Sequence, residues 1–435
     1  MPTALWVAAM TEPARAELDV AKLKVSIQTS VEADYPKLEE LYKDIHAHPE
    51  LAFQEIKTAA KLAREMRALG FEVTEKVGKT GLVAIYKNGE GPTILVRTEL
   101  DALPMEEKTG LAYASRDKAD WNGQETFVDH SCGHDIHMAS WVGTAKTLVG
   151  LKDQWRGTLM FIAQPAEEPV TGARAMLDDG LFTRFKKPDF GFGLHDGPQA
   201  YGTLNYRTGV GSSNSDSLDV TFHGRGGHGA TPQRTIDPVM IAARFIVDVQ
   251  SVISREKDPT EFGVFSIGAI QGGTAHNIIP DQVMLRGTIR TFKPEVRAKL
   301  LAGIERTAKA AADMAGAPAP DIKFTEGGKA IMNDAAVVER AVHVLKGAFG
   351  DKIAIAPPVM ASEDFSEFIN AGVPSMFFTI GVYEPERVAA ANAGTGPPLP
   401  ANHSPQFAPV AKPTIETGVL AMTLAVLSAF DKNAK

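Results

Sequence analysis

The sequence predicts an α/β fold in which a β-α-β-β-α-β unit interrupts a layered domain. In residues 31–212 and again in residues 328–435, short apolar, β-branched segments alternate with helical patterns, which is typical of a sheet buried between helices. Residues 217–224 (SLDVTFHG) instead alternate apolar and polar side chains, as a strand with one wet face does. A second sheet is therefore expected to begin there.

The layered domain is expected to begin with two amphipathic helices within residues 32–70. Apolar residues recur there at helical spacing on either side of a turn at His48-Pro49. Buried strands are predicted at residues 81–86, 93–100, 157–164, 190–196 and 374–380. Later helices are predicted at residues 137–149, 173–181, 337–349 and 415–430.

The interrupting unit is predicted from six segments in the order strand, helix, strand, strand, helix, strand. They cover residues 217–224, 238–253, 262–270, 283–292, 294–314 and 321–326. This is the order of a ferredoxin-like unit, and we expect its first and last strands to be central and adjacent. The predicted division is an N-terminal extension (1–30), a first part of the layered domain (31–212), the inserted domain (213–327) and a second part (328–435).

Composition excludes several classes of protein. The chain has 435 residues, with 45 Lys and Arg against 53 Asp and Glu, which gives a formal net charge of −8. It therefore lacks the excess of basic residues that is typical of proteins that bind nucleic acids. Its single cysteine, Cys132, excludes an intramolecular disulfide and a zinc site of several thiolates. No run approaches 18 consecutive apolar residues, so no membrane span is expected.

The N-terminus carries a mixed signal for export. Residues 3–10 (TALWVAAM) are apolar, and Ala14-Arg15-Ala16 resembles a cleavage site, which favours export to the periplasm. No Lys or Arg precedes the apolar run, so a cytoplasmic location stays open as the alternative.

Metal-capable side chains follow the predicted strands in five segments. These are TELD (98–101), SCGHD (131–135), PAEE (165–168), LHD (194–196) and NHS (402–404). Open α/β sheets bind ligands at the carboxyl ends of their strands, and thiolate, imidazole and carboxylate ligands together suit zinc or manganese better than calcium or magnesium. Taken singly, a lone cysteine is more often a buried apolar residue, and adjacent glutamates are more often a solvated pair.

Ten motifs occur in the order that is typical of one enzyme family. They are HPEL (48–51), RTELDALPMEE (97–107), HSCGHDIHMA (130–139), QPAEE (164–168), GLHDGP (193–198), GGHGATP (226–232), GGTAHNIIPD (272–281), GTIR (287–290), ASEDF (361–365) and NHSPQF (402–407). In these motifs the chain resembles the M20 metallopeptidases over about residues 40–410. It is most similar to their amidohydrolase branch, which includes hippurate hydrolases, N-acyl-amino-acid deacylases and plant indoleacetyl-amino-acid hydrolases.

The resemblance implies a zinc-peptidase-like catalytic domain on a mixed sheet, with the inserted domain as its lid and dimer interface. It implies a metal-dependent amidohydrolase acting on N-acyl or N-aroyl amino acids, or on short peptides with a free carboxylate. A water on two divalent ions, Zn or Mn with Co or Ni as alternatives, would attack the amide while Glu167 takes its proton. The metal ligands would be Cys132, His134, Glu168, His195 and His403.

Other residues match supporting roles in that family. Asp101 would orient a metal ligand, and His228 in GGHGATP would reach an active site, often that of the partner subunit, to polarise the scissile carbonyl. Asn277 and Arg290 would bind the substrate carboxylate. Glu363 would contact metal-bound water or substrate, or else cap a helix.

Two positions depart from the family's pattern. Glu99 stands where Asp is usual, and Asp196 stands where an apolar residue is commoner. The extra methylene of Glu99 could change how a metal ligand is oriented. The charge of Asp196 is expected to disfavour anionic groups nearby and so to influence acyl specificity.

Other functions stay open as alternatives. GRGGHG (224–229) matches G-x-G-x-x-G with Asp248 further along, but a dinucleotide fingerprint follows a buried parallel strand, and the preceding strand alternates. A cysteine hydrolase built on Cys132 leaves PAEE unexplained. The same site could serve a metallo-carboxypeptidase or dipeptidase, or belong to a catalytically silent metal-binding scaffold.

Overall fold

The computed structural model describes residues 18–430, so the predicted export segment, residues 1–16, lies outside the described residues. The strands are β1 (Glu72–Val77), β2 (Gly81–Asn88), β3 (Thr93–Glu99), β4 (Lys118–Trp121), β5 (Gln124–Phe127), β6 (Gly157–Gln164), β7 (Phe190–Ala200), β8 (Leu204–Tyr206), β9 (Gly209–Val210), β10 (Asn214–His223), β11 (Gly227–His228), β12 (Gly263–Gln271), β13 (Ile278–Ile279), β14 (Gln282–Thr291), β15 (Asp321–Glu326), β16 (Met332–Asn333), β17 (Ile353–Ile355) and β18 (Ser375–Tyr383). The α-helices are α1 (Val20–Ala47), α2 (Ile56–Ala68), α3 (His134–Gly150), α4 (Gly172–Asp178), α5 (Leu181–Arg184), α6 (Pro238–Asp248), α7 (Pro294–Asp313), α8 (Ala335–Phe349), α9 (Ser366–Asn370), α10 (Pro385–Asn392) and α11 (Ala411–Phe430).

A mixed eight-stranded sheet forms the centre of the layered domain, in the order β1-β2-β6-β3-β7-β18-β8-β17. The four central strands β6, β3, β7 and β18 are parallel to one another. The pairs β1-β2, β2-β6 and β18-β8 are antiparallel. The predicted α/β fold on a mixed sheet is therefore confirmed, and the parallel centre brings the ends of several strands to one edge.

Helices cover both faces of this sheet. On one face α1, α2, α3, α8 and α11 share a core with Ile94 and Val96 of β3. On the other face α4, α5 and α9 pack around Leu95 of the same strand and Met160 of β6. Successive residues of a central strand thus enter opposite cores, which explains why these strands are apolar almost throughout.

The inserted segment forms an antiparallel four-stranded sheet in the order β12-β14-β10-β15. α6 and α7 cover one face, where Leu218, Val220 and Phe222 of β10 are buried and the residues between them are more exposed. β10 and β15 are adjacent, but the expectation that both are central is wrong, because β15 is an edge strand and β14 occupies the second central place. The chain leaves and returns side by side, since Gly327 N donates to Ser215 O (2.8 Å).

The first helix begins well before the predicted start near Glu32, so that prediction is wrong. α1 starts at Val20, where the side chain of Asp19 caps it, and Leu23 and Ile27 are buried in the main core. A spacing of four residues places these two side chains on the buried face. Residues 20–30 therefore belong to this helix and not to a terminal extension.

Among residues 18–430, α11 is the one helix long and apolar enough to cross a membrane. Within the protein, however, 89% of the apolar 18-residue stretch of this helix is buried. Val419 and Ala425 of α11 lie in the same core cluster as side chains of α3 and β18. Its hydrophobicity is accounted for by packing in the core.

Candidate metal centre

The candidate site lies where the central strands end. β3 and β6 are in register, with Glu99 opposite Gln164, so the segments that follow these strands leave the sheet side by side. Those segments carry Asp101 and Glu167. β7, the next parallel strand, carries His195. Parallel strands place their following loops at the same edge, which is the usual ligand-binding edge of such sheets.

Two loops supply the remaining side chains. Cys132 and His134 flank the turn into α3, which begins three residues earlier than predicted and so includes His134 in its first turn. The residue between them, Gly133, has a φ of +82°, a left-handed conformation that favours glycine. The loop with His403 is tied to this turn by a hydrogen bond from His403 N to Ser131 O (2.8 Å).

The five predicted ligands form two groups that share Cys132. One group contains Cys132, His134 and His195, and the other contains Cys132, Glu168 and His403; within each group the potential ligand atoms lie within 4.8 Å of one another. Cys132 Sγ is 3.5 Å from His195 Nε2, and His403 Nε2 is 3.3 Å from Glu168 Oε2. A thiol common to both groups is the arrangement that two neighbouring divalent ions would need.

The protonation of the histidines suits a metal. His134 Nδ1 donates to Asp101 O (2.7 Å), and His195 Nδ1 donates to Asp196 O (2.7 Å). A neutral imidazole carries one proton, so Nε2 of each ring keeps a free lone pair. Within the described part of the chain, His134 Nε2 and Glu168 Oε1 are buried without a hydrogen-bond partner. Unpartnered acceptors beside a thiol are a donor set that fits zinc or a similar ion.

Burial favours the neutral forms of the titratable side chains at this site. It raises the pKa of the Glu167 carboxyl well above its usual range, and the charges of Glu363 and Glu168 raise it further. Burial also raises the pKa of Glu168 to about 7 and that of the Cys132 thiol well above its usual range, and it lowers the pKa of His195 to about 4. A bound cation would favour the deprotonated forms of the two glutamates and of the thiol, so metal binding is expected to release protons.

Glu167 lies beside the two groups, with Oε2 3.8 Å from His134 Nε2. Its carboxylate also clusters with those of Glu363 and Asp364. Both of these neighbours contact the buried guanidinium of Arg97, which donates to Glu363 at 2.7 and 3.2 Å and to Asp364 at 3.2 Å. Glu167 is thus the acid of this cluster that points toward the ligand groups.

The carboxylate of Glu363 is engaged inside the protein. Besides its bonds with Arg97, its Oε1 accepts a hydrogen bond from Phe365 N (2.8 Å). Phe365 occupies the N-cap position of α9, and that helix has no side-chain cap. The Glu363 carboxylate therefore closes the turn immediately ahead of α9.

Asp101 contacts the adjacent glutamates through their backbone. Its Oδ1 accepts from Glu167 N (2.9 Å) and its Oδ2 from Glu168 N (3.0 Å), while its backbone carbonyl accepts from the ring of His134. One residue thereby links two of the candidate ligands and the candidate base.

Arg97 and His137 belong to the site although the sequence analysis did not single them out. His137 Nδ1 donates to Glu99 Oε2 (2.9 Å), and Glu99 forms an ion pair with Arg97. His137 Nε2 accepts from Asp196 N (3.0 Å), so it has no free lone pair for a metal. The one available signal was the position of His137, one helical turn after His134.

The second departure, Asp196, points into the protein. Asp196 is 3% exposed, and its Oδ1 accepts a hydrogen bond from Asn402 Nδ2 (3.0 Å). Asn402 also donates to Cys132 O (3.1 Å). These contacts give Asp196 a structural role at the turn that carries Cys132.

The inserted domain carries the remaining predicted residues, and none of them belongs to either ligand group. His228 on β11 pairs with Ile278 on β13, and Gly229 N donates to Asn277 O (2.8 Å), so His228 and Asn277 are neighbours, both exposed. Arg290 on β14 is half-buried, and its Nη1 donates to the Ser362 hydroxyl of the layered domain (2.9 Å). The described chain therefore brings Arg290 to the boundary between the two domains.

Comparisons with known proteins agree with this arrangement. The family model for peptidase family M20/M25/M40 matches residues 95–394. A hippurate hydrolase from Campylobacter jejuni is 38% identical over 338 residues, which cover 76% of this chain and 85% of that protein. Thermostable carboxypeptidase 2 from Saccharolobus solfataricus is 33% identical and covers 90% of this chain and 95% of its own length.

A solved structure shows the same architecture. The Bacillus subtilis YXEP protein, described as a dinuclear metal-binding peptidase from the M20 family, superposes with a TM-score of 0.74 at 28% identity. The match covers 92% of this chain and 99% of that chain. The chain described here belongs to peptidase family M20/M25/M40 and is a hydrolase of that family.

Proposed function

We propose that this protein is a metal-dependent amidohydrolase that cleaves the amide bond of N-acyl or N-aroyl amino acids. The observation that carries the proposal is the pair of ligand groups joined at Cys132, with the carboxylate of Glu167 beside them. The similarity to a hippurate hydrolase supports an N-aroyl amino acid as one substrate.

The proposed metal ligands are Cys132, His134, Glu168, His195 and His403. The proposed ions are two Zn or Mn, with Co or Ni as alternatives, because thiolate and imidazole ligands select such metals. When bound, these ions would lower the pKa of water and polarise the amide carbonyl.

Glu167 is proposed as the proton carrier. Its carboxylate accepts a proton from the attacking water and then delivers it to the leaving amine nitrogen. Asp101 keeps Glu167 in place through the hydrogen bond to its backbone N–H.

The inserted domain, residues 213–327, is proposed to be a ferredoxin-like lid that also forms a dimer interface. His228 Nδ1 accepts from Ala230 N (3.1 Å), so the neutral ring presents Nε2–H as a donor suited to the substrate carbonyl oxygen. Arg290, with Asn277, is proposed to bind the free carboxylate of the substrate, because a guanidinium matches a carboxylate with two donors.

Amino-acid release by chelator-stripped protein, before and after addition of Zn or Mn, tests this proposal. The substrates are hippurate, several N-acetyl amino acids and dipeptides. Metal-restored release is expected, and Glu167→Gln should lower kcat at least about a hundredfold while metal still binds. Glu90→Gln, at an exposed position on the same domain, is the matched control. A Glu167→Gln variant as active as wild type would refute the assigned base.

A carboxypeptidase is the second candidate, favoured by the 33% identity to a thermostable carboxypeptidase. The two candidates share the site and differ in the acyl side of the substrate. Comparison of kcat/KM for hippurate and for a benzoyl-dipeptide separates them, because a carboxypeptidase gains from the additional residue.

A further inference from the structure

The backbone that carries Glu167 and Glu168 is strained. Residues 165–173, which we call the glutamate turn, include Ala166 with a φ of +48° and Val170 with a φ of +57°. A left-handed backbone is unfavourable for residues with a Cβ and persists only where the surroundings over-determine it. Both strained residues lie within two positions of Glu168.

Three buried carboxylates accept hydrogen bonds from four backbone N–H groups of the glutamate turn. Asp101 accepts from the two glutamates, as described above. Glu55 Oε1 accepts from Ala166 N (2.8 Å), and Asp364 Oδ2 accepts from Ala173 N (2.9 Å). These carboxylates come from separate parts of the chain, so the turn is fixed from three directions.

Glu55 is notable because the proposed chemistry does not use it. It is fully buried at the N-terminus of α2, and its other oxygen accepts from the Thr80 hydroxyl (2.5 Å). Within residues 18–430 it forms no ion pair with a basic side chain. A buried carboxylate without a cation is costly, so its N–H and O–H partners must account for its presence.

We propose that Glu55 is a positioning residue that holds Ala166 in its left-handed conformation and thereby directs Glu167 and Glu168 into the site. The inference rests on the proposed roles of these two glutamates. Asp101 and Asp364 fix other parts of the glutamate turn, and among these three carboxylates only Glu55 accepts from the N–H of Ala166. The carbonyl of Ala166 accepts from Thr171 N and Gly172 N within the turn.

Hydrogen exchange in the metal-free protein tests the hydrogen bond without reference to activity. Glu55→Ala removes the acceptor, and Glu55→Asp, one methylene shorter, cannot keep both present contacts. Both variants should exchange the amides of residues 166–168 faster than wild type, while β10 and β14 of the inserted domain exchange as before. Glu55→Gln retains an acceptor oxygen and should protect the turn. Unchanged exchange in both Glu55→Ala and Glu55→Asp would overturn the proposal.

Turnover of hippurate by the metal-loaded protein tests the consequence. Glu55→Ala should lower kcat about tenfold to a hundredfold, as loss of an outer contact to a metal site does, with KM nearly unchanged, and Glu55→Gln should restore most of kcat. A general loss of stability would not separate these two variants in this way. Equal loss of kcat in both would contradict positioning through the hydrogen bond.

A second substitution tests the role of the strained residue. Because glycine adopts a left-handed backbone without steric cost, adding Ala166→Gly to Glu55→Ala should recover part of the lost kcat. The control is Ala163→Gly in the same background, a buried position in β6, which should recover nothing. Equal effects of the two glycines would overturn the proposal. If wild-type protein hydrolyses none of the substrates, the proposed function fails, and the exchange measurement still decides the role of Glu55.

Discussion

Glu99 illustrates what one methylene does at a buried position. Its carboxylate reaches both Arg97, through an ion pair, and His137 Nδ1, through a 2.9 Å hydrogen bond. Glu99→Asp should lose one of these contacts and leave a buried polar group unpaired, at a cost of about 1–3 kcal/mol in the free energy of unfolding. Urea denaturation measures this cost. A variant as stable as wild type would show that Asp serves equally well and that the length of Glu99 has no structural role.

His46 should make the protein less stable as the pH rises from 6.5 toward 10. It lies buried between Asp135 (2.6 Å) and Glu107 (3.3 Å); burial disfavours its charge, but these two acids outweigh burial and raise its pKa to about 10. The unfolded pKa is near 6.5, so the stabilisation is complete below pH 6.5 and is lost as pH rises toward 10.

A substitution isolates this effect. His46→Gln leaves two buried acids without their cation and should lower the free energy of unfolding at pH 6.5 by about 3–5 kcal/mol. The difference from wild type should shrink by pH 9.5. His48→Gln, at an exposed pair with Asp117, is the control and should change stability by less than about 1 kcal/mol. A wild-type stability that is flat from pH 6.5 to 9.5 would contradict the assignment.

At the scale of single residues, the sequence could predict those site residues whose own side chains are able to bind a metal. Cys132 and His403 could be identified as candidates because several segments with metal-capable side chains follow predicted strands and because their motifs resemble those of the M20 metallopeptidases. Glu55 and Arg97 were not identified, because their importance depends on partners 111 and 266 residues away. A single sequence does not display such pairings.

Among the secondary-structure elements, strands with two buried faces were predicted most closely. β6 was predicted at its observed bounds, because a run of apolar residues marks both of its ends. The start of α3 was missed because Gly133, and not a capping side chain, precedes the helix. The edge position of β15 was also missed, because the sequence of a strand indicates which of its side chains are buried but does not indicate which strands lie beside it.

Gly133 makes the turn before α3 intolerant of any side chain. Its φ is +82°, and a Cβ would lie 2.1 Å from Asp196 Oδ2. Gly133→Ala should therefore displace Cys132 and His134, weaken metal binding at least tenfold and lower the melting temperature. Metal titration and thermal denaturation measure the two effects.

Gly110→Ala is the matched control for that substitution. Gly110 has a similar φ of +78° but nothing within 4 Å of its Cβ position, so alanine there meets only the cost of the backbone conformation, about 1–2 kcal/mol. Metal affinity should stay unchanged. If both variants bound metal equally well, steric contact with Asp196 would not matter.

At the scale of the whole molecule, Arg290 reaches from the inserted domain to the layered domain. Its bond to the Ser362 hydroxyl involves one nitrogen, and no carboxylate within the described ranges forms an ion pair with it. Arg290→Met should raise KM for hippurate about tenfold or more, because a charged hydrogen bond is lost. KM for hippuramide, which lacks the carboxylate, should not change.

Arg286→Met provides the control for Arg290, because Arg286 is an exposed residue of the same strand and pairs with Asp219. It should leave both KM values unchanged. An equal rise in KM for hippurate and hippuramide in Arg290→Met would indicate general damage to the domain boundary and contradict recognition of a carboxylate.

Domain organisation was accessible from sequence patterning because the two sheets differ in burial. β3 is buried on both faces and β10 on one, and this difference marks where the inserted sheet begins. The sequence pattern carries no information on how far His228 stands from Glu167, because that distance depends on packing between domains.

A titration of chelator-stripped protein with Zn or Mn, with hippurate hydrolysis measured at each point, tests the shared cysteine most directly. Two ions per chain are expected, and hydrolysis should rise as the sites fill. Cys132→Ala should weaken binding of both ions and abolish the restored hydrolysis, because Cys132 belongs to both ligand groups. A single ion per chain, or two ions bound as tightly by Cys132→Ala as by wild type, would contradict the two-metal centre.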